Sequence, residues 1–195
     1  MLFPLRSVCV YCGSSSHAED DAKHVAHDVG TALGQRKIRV IYGGGRGGLM
    51  GPLADSALAA GGEVVGIIPE FIRSREIQHT GLTELHVVDS MHKRKSMMME
   101  RADAFVILPG GFGTMDETFE ILTWKQLGLH NKPIVIFNCN KFWTPLLDLL
   151  DHMMARGSVP PEDVHMYAVV DTVDAMFEAL AAAPGPVIDP ATKWF

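Results

Sequence analysis

Residues 104–108 read Ala-Phe-Val-Ile-Leu, and residues 109–114 continue Pro-Gly-Gly-Phe-Gly-Thr. An apolar run without polar alternation is the pattern of a strand buried on both faces of a parallel sheet. The glycines that follow open a helix expected from about 114 to 127. A strand that passes through glycines into a helix gathers backbone N–H groups around the positive helix end, which suits an anion. The same order occurs earlier in the chain. A strand over 38–42 (Ile-Arg-Val-Ile-Tyr) leads into Gly43-Gly44-Gly45-Arg46-Gly47-Gly48 and then a helix over 49–60, stopped by Gly61 and Gly62.

Further strands are expected over 7–11, 63–68, 84–88, 132–138 and 166–170, and further helices over 20–36, 90–101, 142–155 and 171–183. An irregular segment lies between 69 and 81. Strand–helix alternation over the whole length predicts a Rossmann-like, doubly wound α/β fold. The parallel sheet is covered by helices on both faces, in a single domain spanning 1–195. Pro184 and Pro186 close the last helix and leave 184–195 as a loose tail. In such sheets ligands bind beyond the carboxyl ends of the strands, so the loops after strands one, two, four and five matter most.

The 195 residues are 47% hydrophobic, enough for a real core, and 17 Lys and Arg against 23 Asp and Glu leave a formal charge of −6. No broad basic field is available for a nucleic-acid backbone. No apolar run reaches the roughly 18 residues of a membrane span, and the start lacks a signal-peptide pattern. Three cysteines make no disulfide framework, so the expected setting is cytoplasmic.

Several motifs could carry chemistry. Ser90 is a good helix N-cap and places His92, Lys93, Arg94 and Lys95 in the first turn or just beyond. Cations there oppose the helix dipole, and an anion held by Arg94 and Lys95 would reverse the unfavourable sign. Thr114-Met115-Asp116-Glu117 fits a capping box, in which Glu117 returns to the Thr114 N–H. It also fits a carboxylate set beside a phosphate-binding loop, and the spacing leaves both readings open. Gly43, Gly45 and Gly48 satisfy G-x-G-x-x-G, with Glu70 beyond the next strand as a ribose-binding acid. That keeps dinucleotide binding in view, although this loop follows the second strand. Cys9 and Cys12, three apart on a strand, point to opposite faces and make a poor redox pair. His24 and His27 read as surface residues, and Met97, Met98 and Met99 as helix packing or a subunit contact.

Taken together, Pro109-Gly110-Gly111-Phe112-Gly113-Thr114-Met115-Asp116-Glu117 resembles the P-G-G-x-G-T-x-x-E signature of the LONELY GUY family. The resemblance extends through Cys12-Gly13-Ser14-Ser15, Tyr42 to Gly51, Arg75-Glu76-Ile77, Met91 to Lys95, and Thr123 to Gly128. It implies a homodimer with active sites near the subunit interface. It also implies hydrolysis of N6-substituted adenosine 5′-monophosphates to free base and ribose 5-phosphate, with no metal or other cofactor. By motif, Arg94 and Glu117 match the catalytic pair. Glu76, Lys95, Gly110, Gly111, Gly113, Thr114, Asp116 and Thr123 match positions that contact or shape the nucleotide site, with Gly43, Gly44 and Gly45 in the first glycine loop. Phe112 replaces a common Tyr, and Asp116 a common Glu. Alternatives on the same scaffold are a general nucleoside 5′-monophosphate nucleosidase and a non-catalytic binder of a nucleotide or molybdenum cofactor. Relatives often carry a lysine decarboxylase label, but no motif here marks a lysine that would hold pyridoxal phosphate.

Overall fold

Seven short runs rich in Val and Ile pair side by side and in parallel. They are β1 (Ser7–Tyr11), β2 (Arg39–Tyr42), β3 (Val64–Pro69), β4 (Glu84–Val88), β5 (Ala104–Ile107), β6 (Ile134–Phe137) and β7 (Ala168–Val170). In the computed structural model, which describes residues 5–73 and 78–182, their order is β4-β3-β2-β1-β5-β6-β7. The chain winds outward from β1 to β4, returns to the centre as β5, and winds outward again. The register sets Val8 against Val40 of β2 and Ala104 of β5, so β1 is central and buried throughout.

The helices are α1 (Asp20–Gln35), α2 (Met50–Ala59), α3 (Glu70–Arg73), α4 (Met91–Arg101), α5 (Phe112–Gln126), α6 (Thr144–Ala155) and α7 (Val173–Ala181). The alternation of each strand divides the core. Val8, Val10, Val40 and Tyr42 pack with Leu33, Leu53 and Met176 under α1, α2 and α7. Cys9, Tyr11 and Ile41 pack with Met98, Ile121 and Leu146 under α4, α5 and α6. Each such aliphatic side chain, fully buried, contributes about 1.5–3 kcal/mol relative to exposure. Helices α1 and α2 come unusually close because Gly30 leaves room for the Leu53 carbonyl and the Ser56 hydroxyl, where a Cβ would collide. At the lower edge, Asp103 Oδ2 accepts the N–H groups of Arg6 and Ser7 at 2.9 Å and binds the start of β1 to β5.

The segment 69–81 is more ordered at its ends than the sequence suggests. β3 runs through Pro69 into the short α3, and Gln78 makes an antiparallel bridge with Gly45. Glu76 and the 184–195 tail lie outside the described residues. The larger difference concerns α5, which starts at Phe112 rather than near Thr114, with Gly111 as its N-cap. Thr114 is therefore the third residue of the helix and Glu117 the sixth, so the two cannot form a capping box. The extended Gly111 backbone (φ −101°, ψ −150°) lets the chain enter the helix early, without a side-chain cap.

Beneath α5, His130 bridges two backbone groups. Its Nε2 lies 2.9 Å from the Ile121 carbonyl, which can only accept, and its Nδ1 accepts the Lys132 N–H at 3.2 Å. That pair of bonds fits the neutral Nε2–H tautomer. Burial pushes His130 down from its ordinary 6.5 to about 4, with the Ile121 bond opposing and Lys125 and Lys132 assisting. Between those values the unfolded chain binds the proton and the folded chain does not. Stability from this group is thus fully present above pH 6.5 and falls as the pH drops toward about 4. Urea unfolding across that window is expected to show a shallower pH slope for His130→Gln than for the parent; equal slopes would contradict it.

Candidate functional site

The reversal of strand order between β1 and β5 opens a crevice at their carboxyl ends, where doubly wound sheets bind ligands. It is filled here by a cleft of about 440 Å³. One wall is the loop after β1, with Cys12, Gly13, Ser14, Ser15, His17 and Glu19; the other is the loop after β5 and the first turns of α5. Leu49 and Met50 at the start of α2, Met91 and Arg94 on α4, and Phe142 before α6 complete it.

Close approach of the two loops is what shapes the cleft. The Gly13 N–H donates to the Pro109 carbonyl and the Leu49 N–H to the Gly13 carbonyl, both at 2.9 Å. A Cβ on Gly110 would strike the Thr114 side chain and stand 2.9 Å from the Gly13 nitrogen. Gly111 and Gly113 face open space instead. The first turn of α5 holds no acidic residue and no side-chain cap, so its orphan N–H groups are presented to whatever enters. The N-terminus of α1 differs: Asp20 and Asp21 occupy its first turn and already supply negative charge. Of the two walls, α5 is the one built for an anion.

Ser90 caps α4 by accepting the Lys93 N–H at 3.2 Å, which sets Arg94 in the first turn as its sequence position suggests. Arg94 is only 8% exposed. Its Nε donates to the Ile67 carbonyl at 3.1 Å and its Nη2 to the Gly43 carbonyl at 3.0 Å. A Cβ on Gly43 would collide with that guanidinium, and Gly44 adopts a left-handed φ of +78° to turn the chain. Gly43, Gly44 and Gly45 thus lie behind Arg94, while Leu49 and Met50, beyond the loop, face the cleft. Glu117, likewise buried, lines the cleft with Arg94 and Thr114. Burial pushes the Tyr11 phenol well up, helped by Cys9 and the Glu117 carboxylate. Burial and Glu117 do the same to the Cys9 thiol.

Other residues singled out in the sequence lie apart. Lys95 points away from the cleft to Asp116 and Glu120 on α5. Thr123 is exposed further along α5, and Glu76 is outside the described residues. Glu70 is exposed and paired with Arg73 at 3.0 Å, and the glycine loop before it follows β2 rather than the central β1. Both facts weaken the dinucleotide reading. Cys9 packs in one core layer and Cys12 against the other, as their spacing predicts, and neither is in a disulfide. Met98 is core, with Met97 and Met99 packed against it. Among the described residues no group of three or more His, Cys, Asp or Glu could hold a metal ion, and no helix is long and apolar enough to cross a membrane. Motif reading did not assign roles to Ser14, Ser15, His17, Met50, Met91 or Phe142. The position of the Cys12–Ser15 stretch after the first strand was the available signal for that loop; nothing in the sequence points to Phe142, which arrives from β6.

Comparison with known proteins agrees with this geometry. The family model described as "Possible lysine decarboxylase" matches residues 50–180. A cytokinin riboside 5′-monophosphate phosphoribohydrolase of Rhodococcoides fascians is 46% identical over 176 residues, covering 90% of this chain and 89% of that one. One from Arabidopsis thaliana is 38% identical over 161 residues, 83% of this chain and 76% of its own. Among solved structures, the molybdenum cofactor carrier protein of Chlamydomonas reinhardtii superposes with a TM-score of 0.69 at 17% identity, over 91% of this chain and 99% of that one. That likeness is one of fold alone. Relatives this similar over most of their length, with the family model spanning 50–180, establish that this chain belongs to the LONELY GUY family of phosphoribohydrolases.

Proposed function

We propose that the protein hydrolyses the N-glycosidic bond of N6-substituted adenosine 5′-monophosphates, releasing the free base and ribose 5-phosphate. The observation that carries this reading is the joint burial of Arg94 and Glu117 in a cleft that ends on the uncapped first turn of α5. The relatives' printed activity supports it.

The 5′-phosphate sits at the open N–H groups around Gly111, Gly113 and Thr114, where fixed donors replace its lost hydration. As the C1′–N bond breaks, positive charge builds on the ribose ring, as in glycoside hydrolysis. Glu117, as a carboxylate, stabilises that charge and takes the proton of the water that adds to C1′. The base leaves with the bonding pair and takes a proton from solvent, to which Glu117 returns the one it took from the water. Arg94 anchors the substrate; its guanidinium is held from behind by two carbonyls, so it does not need the substrate to fix its position. A general nucleotide nucleosidase would use the same residues and differ in the base pocket. The carrier alternative rests on fold likeness only. Lysine decarboxylation gains nothing from this cleft: Lys95 is engaged by two carboxylates outside it.

The same reading includes a homodimer and a cytoplasmic setting, the latter in keeping with three cysteines that form no disulfide. Light scattering is expected to give about twice the 21.3 kDa chain mass. A fully active monomer would sink the dimer.

Incubation with isopentenyl-AMP, without added metal, is expected to yield isopentenyladenine and ribose 5-phosphate by chromatography, with AMP, GMP and CMP alongside. Release of inorganic phosphate instead would overturn the assignment. Glu117→Gln removes the charge while keeping the shape, and Arg94 stays tied to Ile67 and Gly43. The expected variant binds the nucleotide nearly as the parent does and turns it over about two to three orders of magnitude more slowly. Near-parental turnover would show that the catalytic carboxylate lies elsewhere.

A further inference from the structure

The loop after β2 is mostly glycine from Gly43 to Gly48, and a run of that kind has few side chains with which to fix itself. It is held from outside. Three successive carbonyls each take a donor: Gly43 from Arg94 Nη2, Gly44 from the His79 N–H and Gly45 from the Tyr42 hydroxyl, all at 3.0 Å. Arg94 faces the cleft and Tyr42 belongs to the core. His79 arrives from the segment before β4, and the chemistry above does not use it.

His79 is only 5% exposed, and both of its ring nitrogens are engaged. Its Nδ1 accepts the Gly81 N–H at 3.0 Å, so the ring proton sits on Nε2, which donates to Asp55 Oδ1 at 2.9 Å. Asp55 stands on α2, and its side chain is half exposed. Its other oxygen lies 3.4 Å from Nη2 of Arg46, a residue of the same glycine loop. Burial acts to raise the Asp55 carboxyl, but the hydrogen bonds from His79 and Arg46 outweigh it and hold it below its ordinary value. One carboxylate on α2 thus grips the loop twice, directly at Arg46 and through His79 at the Gly44 carbonyl. Gln78, beside His79, adds the bridge to Gly45.

The two anchors of Arg94 differ in stiffness. The Ile67 carbonyl lies inside β3, which is paired with β2 on one side and β4 on the other. The Gly43 carbonyl lies in the loop, one peptide away from the carbonyl that His79 holds. Adjacent peptides share a Cα, so a turn of one re-aims the other. We propose that His79 is a positioning residue for Arg94: braced on Asp55, it fixes the Gly44 carbonyl and the glycine loop, so that the Gly43 carbonyl holds the guanidinium in the cleft. His79 acts through Arg94 and stays outside the cleft itself. The consequence for catalysis rests on the phosphoribohydrolase reading; the brace does not.

The test compares His79→Leu, His79→Gln and Asp55→Ala with the parent, each made also in an Arg94→Gln background. The kcat/KM for isopentenyl-AMP is measured in all of them. In the free protein, NMR follows the Nε–H resonance of Arg94, identified by its loss in Arg94→Gln. His79→Leu is expected to lower kcat/KM at least about tenfold, as when a reacting group is misplaced. It should also speed solvent exchange of the Arg94 Nε–H at least about tenfold. His79→Gln, whose amide can still donate to Asp55, should keep most of the activity. Asp55→Ala removes the acceptor from a half-exposed position and spares the core, so a smaller loss of the same kind is expected. In the Arg94→Gln background, His79→Leu should change kcat/KM less than about twofold, because its effect runs through Arg94. An equal fold loss in both backgrounds would mean that His79 supports the fold at large, and would overturn the proposal. Parental exchange of the Arg94 Nε–H in His79→Leu or Asp55→Ala would overturn it equally. If His79→Leu does not fold, Asp55→Ala and its double variant carry the same two comparisons. If the parent itself fails to turn over the nucleotide, the proposed function falls, and the Arg94 resonance alone decides the brace.

Discussion

A guanidinium taken out of water near the middle of a sheet is costly unless its donors are met, and the arrangement around Arg94 can be understood from that requirement. The carbonyls of Ile67 and Gly43 meet it, one from within β3 and one from the loop after β2. Glycine at position 43 leaves the guanidinium its place, since a Cβ there would collide with Arg94 Nη2 and push it aside. The left-handed turn at Gly44 follows, then the bridge from Gly45 to Gln78 and the bond from the Tyr42 hydroxyl to the Gly45 carbonyl at 3.0 Å. Ser90 belongs to the same set, because its cap decides where α4 begins and hence where Arg94 projects.

The two glycine loops, so alike in sequence, therefore do different work. The first makes room for a side chain and turns its back on the cleft. The second makes room for another loop at Gly110 and leaves Gly111 and Gly113 facing open space. One fixes a cation in place; the other leaves a helix end uncapped. Their products, a positive side chain and a set of unsatisfied N–H groups, converge on the same 440 Å³ cleft, and Glu117 supplies the opposing charge. A site with fixed donors at one part and a buried carboxylate at another needs little rearrangement as charge develops on a substrate.

Much of this was legible in the chain. Strand–helix alternation is a local property, since each apolar run and each glycine stop acts on its own neighbours, and it predicts the doubly wound parallel sheet. Ser90 as a cap is equally local. The opposite faces of Cys9 and Cys12 follow from strand geometry alone. Arg94 and Glu117 stood out by motif, through resemblance rather than spacing, because their separation in sequence says nothing about distance.

What only the tertiary structure decided are matters of which face and which neighbour. Thr114 and Glu117 have the right spacing for a capping box, yet α5 begins two residues earlier, and an uncapped Gly111 serves because its helix end opens into a cleft rather than core. Gly43 could not be distinguished from Gly111 by composition, since both are glycines at strand–helix junctions; the difference is the Arg94 guanidinium brought from 51 residues away. Lys95, adjacent to Arg94 and equally cationic, faces α5 instead of the cleft because consecutive helical residues diverge by roughly 100°. The sequence by itself determined the elements and the residue types able to do chemistry. The packing of α4 against α5, and of three loops over the reversal point of the sheet, determined which of them share a site, because that depends on contacts between segments far apart in the chain.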